Sequence, residues 1–192
     1  ALPPAVCYHV YAALAGSTID APRVVTAQGC CWRHEGDATA PLARGWAFTM
    51  REIMAVGAPV HCAALRDEAA TRASALADAL GIDARWQPAT DPFFAPTARG
   101  QALLQQVKGL KRELVARLPG GRELAIASVN DHETYFGERF GIALPDGDAA
   151  TTSCVAFGIE RWLLALLCAH GADPAGWDAA LFTLPQLQET HA

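Results

Sequence analysis

Residues 29–36 read Gly29-Cys30-Cys31-Trp32-Arg33-His34-Glu35-Gly36, or GCCWRHEG. They close a run, Arg23-Val24-Val25-Thr26-Ala27, whose β-branched content predicts a strand from Val24 to Trp32. Charged residues beside glycine ordinarily mark a solvated turn. The same stretch also fits a nucleotide site, with Arg33 on a phosphate and Glu35 accepting from a base amino group. Taken alone it leaves both readings open, so the neighbouring sequence has to decide. Outward from it, Gly36-Asp37-Ala38-Thr39-Ala40-Pro41-Leu42-Ala43-Arg44 is a loop of small, turn-forming residues, and a second strand follows over 45–53. Two strands joined by so long a loop predict an antiparallel pair carrying a functional loop.

The chain of 192 residues is long enough for one domain with a real core, and the reading is a single domain over 1–192. With 52% hydrophobic and 18% charged residues it is a folded chain, not a disordered one. No apolar run reaches the ~20 residues that span a bilayer. The longest, around Trp162 to Cys168, is preceded by Arg161 and reads as a buried helix. Residues 1–16 lack the basic start of an export signal, which predicts a cytoplasmic protein. The net charge of −5 argues against a broad nucleic-acid-binding surface. Cysteines at 7, 30, 31, 62, 154 and 168 form no C-x-x-C pair and no disulfide framework, so most are expected as small buried hydrophobes.

Further along, residues 5–14 are ambiguous between strand and helix. Ala64 to Leu80 is Ala-rich and helical, closed by Gly81, and Asp91-Pro92-Phe93-Phe94 marks a loop or strand start. Another helix is expected from about Ala102 to Leu118, with Leu103, Val107, Leu110, Leu114 and Leu118 on one face. Leu124 to Val129 is a short strand before the polar Asn130-Asp131-His132-Glu133. Thr151 to Gly158 is another strand, Ile159 begins a helix, and Ala175 to Leu181 is a weaker helical segment.

An Arg at a strand end, a long loop, a second strand with an aromatic and a Glu, and later Gly158-Ile159-Glu160-Arg161 together resemble motifs 2 and 3 of class II aminoacyl-tRNA synthetases. The seryl enzymes are the nearest in pattern. The segments PAVCYHVYAALAG, FTMREIMAVG, DPFF, LKREL, SVNDHETYFGERFGI and TTSCVAFGIERW narrow the resemblance to the amino acid:carrier protein ligases. These are seryl-synthetase homologues that lack the tRNA-binding arm and load an amino acid onto a carrier protein's phosphopantetheine. The resemblance runs from Pro4 to about Leu167. It implies an α+β fold in which an antiparallel sheet is flanked by helices.

The resemblance also implies roles. Arg33 would hold the α-phosphate and the substrate carboxylate, a task suited to a guanidinium fork. Glu35 would accept from the adenine amino group, Phe48 would stack on adenine, and Arg161 would grip the far end of the triphosphate. Arg33 and Arg161 are thus the catalytic candidates. Zinc in the atypical branch is held by Cys, Glu and Cys, which match Cys7, Glu52 and Cys154 and leave one tetrahedral position open for an amine or water. Cys31 is expected to pack beneath the site. Ser128, Asn130 and His132 are expected to line the substrate region. Read singly, Arg161 would be an ordinary helix-surface charge and Phe48 an ordinary core aromatic. Their order along the chain favours the site.

Two departures stand out. Seryl enzymes carry a magnesium-binding Glu where this chain has Ala125, and Glu123 is the nearest carboxylate on that strand. The family's upstream part, including the motif 1 that builds much of its dimer interface, does not precede Cys7 here. The expectation is therefore an N-terminally short catalytic domain whose homodimerisation and activity the missing part puts at stake. Arg99, Lys108, Lys111, Arg112, Arg117 and Arg122 face a single acid, Glu113, across the expected helix at 102–118. Such a basic face suits an acidic acyl or peptidyl carrier protein, or is simply solvated.

The expected activity is ATP-dependent activation of a small amino acid as its adenylate and transfer to the carrier thiol, with zinc and ATP–magnesium as cofactors. No tRNA partner and no membrane are expected. The alternatives are a non-catalytic zinc-binding paralogue that docks a partner and a seryl-tRNA synthetase-like fragment.

Overall fold

The computed structural model describes residues 2–36, 39–89 and 110–178. Six strands form one antiparallel sheet in the order β1-β2-β6-β5-β4-β3. They are β1 (Arg23–Trp32), β2 (Ala47–Gly57), β3 (Ala84–Pro88), β4 (Lys111–Arg117), β5 (Glu123–Asp131) and β6 (Thr151–Gly158). The expected pair around the 36–44 loop is β1 with β2, antiparallel, with Trp32 opposite Ala47. The Arg33 amide extends that ladder by donating to the Trp46 carbonyl at 3.0 Å.

Helices cover the sheet on two faces. On the back lie α2 (Pro59–Ala79) and α4 (Ile159–His170). The α2 helix starts at Pro59, ahead of the expected Ala64, because proline's fixed φ and missing N–H suit the first helical position. Ala69, Ala70, Ala73 and Ala77 bring it close against the sheet, where Val129, Val155, Leu114 and Ile126 complete the core. On the front lie α1 (Cys7–Ala13), which settles the ambiguity at 5–14 as a helix, and α3 (Tyr135–Phe140), which the sequence did not announce. Tyr11, Phe136, Met54, Val56 and Ile142 pack there. Gly137 has to be glycine, because a Cβ would lie 2.2 Å from the Ala150 carbonyl oxygen.

One expectation is overturned. The described part of the 102–118 segment is the strand β4, with Leu114 opposite Ala127 of β5, and not a helix. Leu110, Leu114 and Leu118 are spaced by four, which keeps them on one side of a strand as well as of a helix. The alternation decides it. Leu114 and Ala116 are buried, while Arg112 turns back to Trp86, its guanidinium 5.7 Å from the ring centre. Arg117 lies 3.6 Å from Asp83, and Arg112 lies 3.7 Å from Asp67, so these cations do not share one helical face. Arg99, Lys108 and the Asp91–Phe94 stretch lie outside the described residues. So do residues 179–181 of the segment expected as helical over 175–181, whose described part starts with a short 3-10 turn, Pro174–Gly176. Strand β3 was not foreseen. Among the described residues no helix is long and apolar enough to cross a membrane.

Candidate active site

An open cleft of about 170 Å³ lies on the front of the sheet. Its walls come from the segment just after β1, the first half of β2, residues of β4, β5 and β6, and the first turns of α1 and α4. Arg33, Glu35, Phe48 and Arg161 all line it, as do Cys7, Glu52, Cys154, Ser128 and Asn130. The strand period of two explains the selection: Phe48, Met50 and Glu52 of β2 face forward together, as do Cys154, Ala156 and Gly158 of β6.

At one end the cleft is basic. Arg33 donates from Nε to the Pro4 carbonyl at 3.1 Å, and its guanidinium carbon sits 5.0 Å from the centre of the Phe48 ring. Such a cation–π contact orients a guanidinium without neutralising it. Arg161 donates to the Ala43 carbonyl at 2.8 Å and the Ala125 carbonyl at 3.0 Å, which ties the start of α4 to the 36–44 loop and to β5. Burial, and after it the neighbouring Arg33, holds the Arg161 guanidinium below its ordinary pKa. Two guanidinium groups gathered in one cleft make this end electropositive. Glu35 lies 3.4 Å from Arg44.

The other end is a closed cluster. The ligand atoms of Cys7, Glu52 and Cys154 all lie within 4.8 Å of one another, and all three residues are buried. Glu52 is only 1% exposed. One of its oxygens accepts from the Val6 amide at 2.7 Å, while the other, Oε2, is buried with no hydrogen-bond partner. The Cys7 thiol is pushed far up by its hydrogen bond with Cys154 and then by burial. Cys154 is raised as well; its bond with Cys7 acts downward, but burial and Glu52 outweigh it. Two thiols that resist ionisation beside an orphaned carboxylate oxygen are what a cation would reconcile, because metal binding deprotonates thiols and satisfies the free lone pair. The residues present therefore fit a metal ion such as zinc.

Behind the cluster, Asn130 Nδ2 donates to Cys154 Sγ at 3.4 Å and to Ser128 Oγ at 3.1 Å, leaving its own Oδ1 buried and unpartnered. His132 does not line the cleft. Its Nε2 lies 3.8 Å from Cys154 Sγ, and its Nδ1 lies 3.1 Å from the Thr152 hydroxyl and 3.3 Å from that of Tyr11. Burial pushes its pKa down to about 3, so it acts as a neutral support for the cluster. Cys31 is buried beside Met50 and Val6, and its thiol is pushed up to about 11 by burial. Cys30, expected inside, is exposed, because the alternation of β1 turns it away from Cys31.

Three contributors escaped the sequence reading. Both carboxylate oxygens of Glu160 accept from the Thr49 amide, at 2.8 and 3.0 Å, where β2 runs past its last partner in β6. Lys111 and Glu113 line the cleft with Nζ 3.0 Å from Oε1. The signal for them was the K-x-E alternation in LKREL, which a helical reading hides. Glu160 was visible only as the neighbour of Arg161.

The structure superimposes on A. aeolicus tRNASec in complex with M. kandleri SerRS, on the synthetase chain. The TM-score is 0.81 at 25% identity, over 94% of this chain and 37% of that one. Seryl-tRNA synthetase from Pyrococcus horikoshii complexed with ATP gives a TM-score of 0.69 at 16% identity, over 88% of this chain and 38% of that one. The six-stranded antiparallel sheet with its flanking helices is thus the class II aminoacyl-tRNA synthetase fold. In sequence, the chain is 36% identical over 192 residues to amino acid–acyl-carrier-protein ligase 2 of Bradyrhizobium diazoefficiens, covering 98% of this chain and 57% of that protein. It is 26% identical over 191 residues to the type-2 serine–tRNA ligase of Methanopyrus kandleri, over 92% of this chain and 36% of that protein. No protein-family model matches. The chain is a homologue of the amino acid–acyl-carrier-protein ligases and of the type-2 serine–tRNA ligases, and it spans little more than half the length of the former.

Proposed function

We propose that residues 1–192 form a catalytic domain that activates a small amino acid with ATP and passes it to the phosphopantetheine thiol of a carrier protein. The observation that carries this reading is the continuity of the cleft: a basic end and a Cys-Glu-Cys cluster line one cavity. Amino-acid activation would use both, because the reacting carboxylate must meet the α-phosphate while the amine is held fixed.

Cys7, Glu52 and Cys154 would hold zinc, which supplies a Lewis-acidic position that selects a free α-amine. Asn130 Oδ1 stands ready to accept from that amine or from a small side chain. Glu35 accepts from the adenine amino group, Phe48 stacks on the base once Arg33 turns to the phosphate, and Arg161 takes the distal phosphates. A carboxylate oxygen of the amino acid attacks the α-phosphorus and pyrophosphate leaves with the bonding electrons. Arg33 offsets the negative charge that accumulates on the α-phosphate. The carrier thiolate then attacks the carbonyl carbon of the adenylate, and AMP departs.

The carrier as acceptor is supported by the names of the Bradyrhizobium relatives, not by a basic helix. A second reading, a non-catalytic metal-binding paralogue, draws on Ala125 in the cleft wall. The test is to supply labelled amino acid, ATP, a phosphopantetheinylated carrier and tRNA together. A label on the carrier and none on tRNA supports the proposal. A label on tRNA transfers the reading to the seryl side, and a label on neither favours the paralogue.

A further inference from the structure

A triphosphate in the basic end would bring more negative charge than two arginines offset, and such sites commonly add a divalent cation held by one or two carboxylates and the phosphates. Position 125, where the family pattern has its glutamate, is Ala125 here, and its carbonyl is occupied by Arg161. Glu123 does not take its place. It is absent from the cleft wall, half-exposed and 2.7 Å from Arg85 of β3.

Among the described residues four carboxylates line the cleft: Glu35, Glu52, Glu113 and Glu160. Glu52 is buried in the cysteine cluster, Glu160 has both oxygens on the Thr49 amide, and Glu35 sits by Arg44. Glu113 differs. Its ion-pair partner, Lys111, stands two residues away on the same strand face, and both side chains keep about a fifth of their surface exposed, 18% and 19%. It stands opposite Ser128 in the β4–β5 register and is close enough to Arg161 to favour that guanidinium's charge. A lysine on a flexible four-carbon stem gives up a carboxylate for a phosphate at little conformational cost.

We propose that Glu113 of β4 holds the divalent cation of the bound nucleotide, while Lys111 moves from Glu113 to a phosphate oxygen as the nucleotide enters. The carboxylate that β5 lacks at 125 is supplied by the adjacent strand. This rests on the nucleotide reading of the cleft, and the experiment separates the two. ATP binding to the purified protein is measured by calorimetry in excess magnesium and again in EDTA, for the wild type, Glu113→Gln and Lys111→Ala.

The wild type should bind ATP more tightly with magnesium. Glu113→Gln should lose at least ten-fold of its affinity in magnesium and little or none in EDTA. Lys111→Ala should lose affinity in both. Bound Mn²⁺, followed by its electron paramagnetic resonance in the presence of ATP, should fall in Glu113→Gln. Should that variant fold poorly, Glu113→Asp, which shortens the reach by one methylene, should show the same selective loss in magnesium. A Glu113 variant that keeps the wild-type magnesium enhancement overturns the assignment. A wild type that binds no ATP under either condition removes the nucleotide site itself, and with it this inference.

Discussion

Replacing Cys154 with Ser exchanges a soft thiolate for a hard, weakly acidic hydroxyl at one of the three buried ligands of the cluster. Structural zinc sites bind with apparent free energies of roughly 10–16 kcal/mol at neutral pH, so one ligand of three should account for roughly 3–5 kcal/mol, a loss of about two to four orders of magnitude in affinity. The site also couples to stability. Glu52 Oε2 is buried without a partner, and such an atom costs about 1–3 kcal/mol when nothing satisfies it. A metal ion present at about 100 times its Kd stabilises the fold by about 2.7 kcal/mol. At roughly 2–4 °C per kcal/mol for a chain of this size, chelation should lower Tm by about 5–11 °C.

Metal content by plasma mass spectrometry, with thermal unfolding in EDTA and in added zinc, measures both effects. The wild type should carry about one zinc per chain and show the chelator shift. Cys154→Ser and Cys7→Ser should lose the metal, and their Tm should no longer respond to EDTA. Full zinc content in both variants, or a wild-type Tm indifferent to chelator and zinc, would refute the reasoning.

Arg33→Ala should abolish adenylate formation by removing the charge beside the reacting phosphate. It should cost only about 1 kcal/mol of stability, the worth of its hydrogen bond to Pro4; pyrophosphate exchange and a denaturant titration check the two halves. Gly137→Ala should be far more disruptive than its position outside the cleft suggests, at roughly 3 kcal/mol or more, because the new Cβ meets the Ala150 backbone. A chemical-denaturation midpoint indistinguishable from wild type would contradict that packing.

The sequence made the β1–β2 pair legible because its cues were local: β-branched runs, alternation, and a loop too long to be a tight hairpin. That Cys7, Glu52 and Cys154 would meet was expected for another reason. Cys7, Glu52 and Cys154 are remote in sequence, and nothing in their spacing unites them; the order of the motifs did. The structure adds what order cannot supply, namely ligand atoms within 4.8 Å and an orphaned oxygen. LKREL shows the opposite case. Leucines at a spacing of four satisfy both periods, and the helical reading placed Lys111 and Glu113 on a surface when the strand puts them in the cleft. The resemblance implied His132 beside Ser128 and Asn130 in the substrate region, yet it packs against Tyr11 and Phe136 and is not among the residues lining the cleft. Glu160 could not be read at all, since its partner is a backbone amide 111 residues away.

The central claim is that the anion-binding end and the Cys-Glu-Cys end of this cleft act on one substrate pair. Amino-acid-dependent exchange of labelled pyrophosphate into ATP tests it most directly, run across the common amino acids with zinc-loaded wild type, Arg33→Ala and Cys154→Ser. The account predicts exchange with one or a few small amino acids, lost in both variants although each disables a different end. Exchange that persists in Cys154→Ser, or no exchange with any amino acid by a zinc- and magnesium-loaded wild type, would contradict it.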